Sequence, residues 1–316
     1  MARLRRQRIG SSPEHLARAA LIVVAAFTLS ACEFLLYHPS GMERPADGSS
    51  VGGYQVRHLD DDPSSQSYVI QNELTGPGRL NLLYLQGNAG SFVNRLCYLD
   101  RFTDDGFGVT ILSYRGYGGN RGRPREQGLY QDARRALAHL AAKGVSSNEI
   151  VLYGESLGTG VAATMALEAS EAGNPHAALI MQAPYTSISA VVRFLMPWLP
   201  VKPSWLLGEV YDTRAKISRI EMPLLFIHGR DDDLIPAGHS RELFELAAEP
   251  KALHVIEGAG HNDLTCVGAR RVDHDDVCKS GGPVCPYELA RDFLARLNDG
   301  ATRRYAVAES VGDGRE

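Results

Sequence analysis

Positive charge is not in overall excess in this chain. Thirty-three Lys and Arg face 37 Asp and Glu, for a formal net charge of −4. Residues 1–31 hold five of the arginines and one glutamate, so the remainder is more acidic still. No basic stripe is left to neutralise phosphates, which argues against nucleic acid as a partner. Cysteine is scarce, five in 316 residues, and no C-x₂-C pair occurs, so the ligand spacing of a structural zinc site is missing. No internal repeat or low-complexity tract appears, which excludes a repeat architecture. Only one long apolar run is present, Ala19 to Leu29; it is short for a membrane span and no second anchor follows it. What remains, 44% apolar and 22% charged, is an ordinary globular composition, long enough for one large α/β domain with a buried core.

The first 31 residues read as an export signal rather than as part of the fold. Arg3, Arg5, Arg6 and Arg8 precede the apolar run, which ends in Leu29-Ser30-Ala31-Cys32. That ending resembles the bacterial lipobox, which implies lipidation of Cys32 and a lipid-anchored protein of the bacterial cell envelope. Glu33 after the cysteine implies outer-membrane sorting, on the periplasmic side; an uncleaved signal anchor is the alternative. Residues 32–50, with Pro39, Gly41, Pro45 and Gly48, read as a tether. An oxidising compartment invites a disulfide among Cys97, Cys266, Cys278 and Cys285, for which three pairings are open. A metal held by these cysteines with His274, Asp275 and Asp276 is the competing reading, and no metal is expected.

From Tyr54 onward the pattern alternates strands and helices. Tyr54–His58 and Gln66–Ile70 alternate like antiparallel edge strands. Leu80–Leu85, Val109–Leu112, Ile150–Tyr153, Ala177–Met181 and Met222–His228 are continuous apolar runs, as in strands buried on both faces, and Leu253–Ile256 is the last strand. Helical spacing lies between them: Phe92, Leu96 and Leu99 on one face, then Leu129, Ala133, Ala136, Leu137 and Leu140 up to Gly144. The expected fold is a mostly parallel sheet with helices on both faces, whose chemistry gathers at the carboxyl ends of the strands. Residues 185–220 interrupt the alternation with both tryptophans and three prolines, and read as a short cap. Its apolar side chains either line an acyl pocket or pack among themselves.

Gly154-Glu155-Ser156-Leu157-Gly158 sits between a strand and a helix pattern, the layout of a nucleophile elbow. A serine hydroxyl needs a histidine to take its proton and a carboxylate to orient that histidine. After an elbow these follow in the order acid, then histidine. Asp231, Asp232 and Asp233 follow one strand, and His261 follows the last among small residues, whereas His228 ends a strand and His254 alternates within one. An oxyanion needs two N–H donors: Leu157, directly after the serine, and Asn88 in the loop after the Leu80–Leu85 strand, with Ala89 close behind.

Together these stretches resemble the α/β-hydrolase superfamily, and within it the BEM46-type serine hydrolases, related to depalmitoylating α/β-hydrolase-domain proteins. The resemblance runs over about residues 55–298 and rests on Gln86-Gly87-Asn88-Ala89, Tyr114–Gly118 with Glu126–Asp132, Gly154–Gly158, His228–Asp232 and Gly258–Asp263. It implies the α/β-hydrolase fold over 51–300, with Ser156, Asp232 and His261 as the catalytic triad; Asp232 rather than its neighbours is singled out by the family's H-G-x-x-D block. Two departures stand out: Gln86 where the family has histidine, and a cysteine-bearing insertion at 265–286. Residues 301–316 read as a flexible tail.

The expected activity is that of a carboxylesterase or thioesterase working through an acyl-enzyme, without cofactor or metal, on a small or lipid-like acyl ester. A peptidase or amidase on the same triad, and a non-catalytic envelope binding protein, are the alternatives. The sequence leaves the oligomeric state open.

Overall fold

The computed structural model describes residues 36–59, 66–72, 78–198, 210–264 and 286–298. Two short strands come first, β1 (His38–Pro39) and β2 (Ser50–Val51), followed by β3 (Tyr54–His58) and β4 (Tyr68–Gln71). β3 and β4 pair antiparallel with Val56 opposite Ile70, as their alternation predicts. They are not the sheet's edge, however: β2 continues the sheet beyond β3, and β4 abuts the parallel part.

The apolar runs form β5 (Asn81–Leu85), and after the two-residue β6 (Ala89–Gly90) and the helix α1 (Leu96–Asp104), β7 (Gly108–Ser113). α2 (Glu126–Ala142) leads to β8 (Ile150–Glu155), α3 (Leu157–Glu171) and β9 (Ala178–Gln182). The chain closes with α4 (Ile188–Leu195), α5 (Arg214–Ile217), β10 (Leu224–Gly229), α6 (Gly238–Leu246), β11 (Lys251–Ile256) and α7 (Pro286–Asn298). β5, β7, β8, β9 and β10 are buried along their whole length, as strands covered on both faces must be.

The nine-stranded sheet has the order β11-β10-β9-β8-β5-β7-β4-β3-β2. From β11 to β7 every neighbour is parallel; from β7 outward the pairs are antiparallel. One face packs Leu83, Leu112, Leu152 and Phe226 against Leu129, Ala133 and Val161 of α2 and α3. The other packs Tyr84, Tyr153 and Ile180 against Leu99 and Phe102 of α1 and Phe293 and Leu294 of α7. α1 follows a 3₁₀ turn at Phe92–Arg95, so the face predicted for Phe92, Leu96 and Leu99 is real but spans a change of helix type. Among the described residues no helix is long and apolar enough to cross a membrane.

The tether expected over 32–50 is corrected from residue 36 on. Tyr37 is 4% exposed, and β1 pairs parallel with β6, His38 opposite Ala89 and Pro39 opposite Gly90. Arg44 reaches Asn120 Oδ1 at 2.8 Å, and β2 extends the sheet. The domain therefore begins before residue 51. A buried tyrosine and a paired backbone outweigh a loop-like composition.

The cap expected at 185–220 contains α4, whose Ile188 and Val191 are buried while Trp198 beyond it is 73% exposed. The expectations for residues 1–31, Cys32, Trp205, the cysteine-bearing insertion at 265–285 with its disulfide pairing, and the tail 301–316 lie outside the described residues.

Candidate active site

β8 ends and α3 begins at Ser156, whose backbone takes φ 49° and ψ −117°. A non-glycine residue at positive φ is strained, and the surroundings must hold it there. The Ser156 N–H donates to Gln182 O of β9 at 2.8 Å, and its carbonyl accepts from Thr159 N and Thr159 Oγ1 at 2.9 and 2.6 Å. The flanking glycines permit close packing. A Cβ on Gly158 would stand 1.9 Å from Leu85 O, and one on Gly154 2.6 Å from Thr159 Cα. The elbow is thus wedged against the end of β5, where the loop to β6 starts.

His261 follows β11 and meets the serine: Ser156 Oγ and His261 Nε2 are 3.0 Å apart. On its other side His261 Nδ1 is 2.7 Å from Asp232 Oδ2. A carboxylate only accepts, so Nδ1 carries the proton, and Nε2 is left to accept from the serine hydroxyl. Asp232 is the buried member of its aspartate run, with Asp231 and Asp233 exposed. Its Oδ1 accepts from the N–H groups of Leu234 and Ile235 at 3.0 and 2.7 Å. Burial pushes this carboxyl up, but hydrogen bonds from His228 and His261, the charge of His261 and the Ile235 N–H outweigh it. The net effect holds Asp232 well below the usual carboxylate range.

His228, read from sequence only as a strand end, supports the same carboxylate. It is fully buried, with Nε2 3.2 Å from Asp232 Oδ2 and 2.7 Å from Ile235 O. Both neighbours are acceptors, so Nε2 carries the proton and Nδ1 accepts from Ser240 Oγ at 2.6 Å. The H-G-x-x-D block was the signal for this role, since it brackets histidine and acid around one turn.

The two expected oxyanion donors come from the helix that follows the serine and from the loop packed against the elbow. Leu157 is the first residue of α3, so its N–H lacks a helical acceptor and stands at the positive end of the helix. Asn88 lies in the loop that Gly87 brings against the elbow; a Cβ on Gly87 would be 3.4 Å from Ser156 Cβ. Asn88 is fixed by its other groups: its carbonyl accepts from Tyr117 Oη at 2.8 Å and His38 N at 2.9 Å, and its Nδ2 donates to Leu36 O at 3.1 Å. Gln86, the departure from the family pattern, is buried with neither carboxamide atom hydrogen-bonded among the described residues.

Sequence reasoning missed a buried ion pair beside the serine. Arg95 Nη2 and Nε meet Glu155 Oε1 and Oε2 at 2.8 and 3.0 Å, and Tyr84 Oη donates to the same carboxylate. Arg95 Nη1 also donates to Ala89 O and Ser91 O at 3.2 and 3.4 Å. The pair therefore joins the elbow to the loop that carries Asn88. Burial raises the Glu155 carboxyl, and Arg95 and Tyr84 more than reverse this, holding it below its ordinary value. Among the described residues no group of three or more His, Cys, Asp or Glu is arranged to hold a metal.

A parallel sheet with a strained serine between strand and helix, and a histidine and a carboxylate on later loops, defines an α/β-hydrolase. Comparisons with known proteins agree. The family model described as serine aminopeptidase, S33, matches residues 89–216. An uncharacterized protein of Mycobacterium tuberculosis is 36% identical over 250 residues, 78% of this chain and 86% of that protein. Protein bem46 of Schizosaccharomyces pombe is 32% identical over 206 residues, 64% of this chain and 68% of that one. Lysophosphatidylserine lipase ABHD12 of Mus musculus is 30% identical over 231 residues; they make up 68% of this chain but 56% of the lipase. Among solved structures, a soluble variant of monoglyceride lipase from Saccharomyces cerevisiae shares the fold with a TM-score of 0.56 at 13% identity, over 84% of this chain and all of that one. The chain belongs to the α/β-hydrolase family, among relatives that include bem46, and is a hydrolase of the serine type.

Proposed function

We propose that this protein is an esterase or thioesterase that transfers an acyl group through Ser156 to water. The Asp232–His261–Ser156 chain of hydrogen bonds, 2.7 and 3.0 Å, carries the reading. Ser156 Oγ attacks the acyl carbonyl while His261 Nε2 takes its proton. The oxyanion sits between the N–H groups of Leu157 and Asn88, and His261 returns the proton to the departing alcohol or thiol. Water, deprotonated by the same nitrogen, then releases the acid. Asp232, kept ionised by its partners, stabilises the imidazolium formed in both halves.

The lipase function named for ABHD12 favours an acyl ester substrate, and the lipobox-like Leu29–Cys32 favours an anchored protein of the cell envelope. A mass spectrum of membrane-extracted protein that begins at Met1 would overturn the anchoring. The S33 aminopeptidase description of the matched family model favours the second reading, amide cleavage on the same residues. Fold and triad do not choose between ester and amide.

The test is hydrolysis of p-nitrophenyl esters from acetyl to palmitoyl beside peptide anilides, with Ser156→Ala as control. Ester turnover lost in the control supports the reading. Faster cleavage of anilides than of esters establishes the peptidase, and no turnover of either class by the parent overturns both.

A further inference from the structure

We propose that residues 36–40 form a positioning strap for the oxyanion loop, so that the chain's N-terminal segment is part of the catalytic apparatus. This rests on the acyl-transfer reading, in which the N–H of Asn88 binds the oxyanion.

An oxyanion donor is useful only if it is already in place when charge develops. The loop from Gln86 to Gly90 has little regular structure of its own to hold it; β6 is two residues long and its strand partner is β1 of the strap. The strap holds Asn88 at two points. His38 N–H donates to Asn88 O at 2.9 Å, and Leu36 O accepts from Asn88 Nδ2 at 3.1 Å. Ser40 N–H reaches Gly90 O at 3.3 Å, which closes the far end of the loop. Holding the carbonyl and the side chain of Asn88 on the strap fixes two of the bonds at its Cα, and so where its backbone nitrogen sits beside the elbow.

The strap is itself anchored by Tyr37. This ring is buried, and its hydroxyl meets the Tyr211 hydroxyl at 2.8 Å. Tyr211 lies where the chain returns from the cap, at φ 41°, and its ring rests over Gly160 of α3, where a Cβ would stand 3.0 Å from Cδ1. Tyr185, from the start of the cap, donates to Leu157 O at 3.1 Å. Cap, strap and both oxyanion residues are thus one connected unit, and disturbance of the strap should reach the reaction before it reaches the fold. The His38 residue is exposed, while its backbone N–H faces the Asn88 carbonyl and the Tyr117 hydroxyl.

The test is His38→Pro in the full chain, which removes the N–H that Asn88 O accepts. Tyr37→Phe, which removes the hydroxyl alone, is the milder variant. Asp47→Ala is the control at the far end of the same segment; its Oδ1 accepts from His58 N at 2.8 Å, away from the loop. His38→Pro should lower kcat on an ester by about 10- to 100-fold, the range a misplacement of about 1 Å brings, with KM within about twofold. Hydrogen exchange of residues 86–90 should rise, Tyr37→Phe should fall between variant and parent, and Asp47→Ala should match the parent. A parent-like kcat with unchanged exchange in the loop overturns the proposal, as does an equal loss in Asp47→Ala. If ester turnover survives Ser156→Ala, the acyl-transfer reading fails, and exchange in the loop alone decides: increased it sustains the strap, unchanged it overturns it.

Discussion

Arg95→Met isolates the buried ion pair beside the nucleophile. In the parent both partners are nearly inaccessible, 4% and 10% for the two side chains, and the guanidinium satisfies both carboxylate oxygens of Glu155. Removal of one partner from such a pair costs about 3–5 kcal/mol, because the other charge is left buried. For a domain of this size that is a fall in Tm of about 10 °C. The pH dependence is the sharper consequence. With Arg95 present, Glu155 titrates below its ordinary value, so its charged form adds stability above the unfolded carboxylate's pKa, lost as pH falls through the folded one. Without Arg95, burial is opposed by the Tyr84 hydroxyl and His261 but no longer by the guanidinium, and the folded value rises. The variant's deficit is then largest near pH 8 and shrinks toward about pH 4–5, where Glu155 is neutral in the fold. Urea unfolding at pH 5, 6.5 and 8 measures this. A deficit below about 1 kcal/mol at pH 8, or one that is the same at pH 5, would refute the reasoning. Arg95→Met with Glu155→Gln removes both charges and should recover most of the loss.

Asp232→Asn leaves His261 Nδ1 facing a group that can donate, which favours the wrong tautomer; kcat should fall on the order of 10⁴-fold while the fold persists, and a loss under tenfold would remove Asp232 from the triad. Gly158→Ala drives a methyl into Leu85 O at a separation of 1.9 Å, so the elbow and the oxyanion loop must part; stability should drop about 1–3 kcal/mol and ester turnover more steeply, both read on one preparation. Gln86→Met replaces a buried carboxamide that has no hydrogen-bond partner among the described residues, and should raise stability by about 1 kcal/mol; a fall of that size would show that the carboxamide is satisfied after all.

The parts of the site that were legible in the sequence are those in which local backbone geometry dictates residue type. The pentad needs glycine at 154 and 158 because backbone from the next turn and the next strand occupies the space of a Cβ, and that demand shows in one sequence. The loops that carry the acid and the histidine were legible by their place after β10 and β11, since parallel strands deliver their following loops to one edge, whereas the choice of Asp232 over Asp231 and Asp233 came only from the H-G-x-x-D block of the resemblance. Arg95 was not legible, because its role depends on a partner 60 residues away that no periodicity marks, and His228 was marked only by the H-G-x-x-D block that sets it 4 residues before the acid. A lone arginine before a helix reads as solvated charge, and Glu155 reads as a variable position within the pentad, until the fold brings them together.

Residues 36–50 show the opposite failure, where composition pointed the wrong way. Proline, glycine and serine lower the cost of an irregular path, and a tether and a docked strap both take irregular paths. What separates them is whether the backbone donors find acceptors and whether a large side chain is buried. His38, Ser40 and Tyr37 answer both in favour of docking. The signal within the sequence was Phe34-Leu35-Leu36-Tyr37 ahead of Pro39: large apolar residues that a solvated tether does not need. The burial of Tyr37, with Leu36 partly buried beside it, places this segment beside the oxyanion loop. The strap and the Arg95–Glu155 pair then both hold that loop, one through Asn88 and the other through the carbonyls of Ala89 and Ser91. Two clamps on five residues are what a loop without helix or long strand requires if its N–H groups are to be in place before the charge they stabilise.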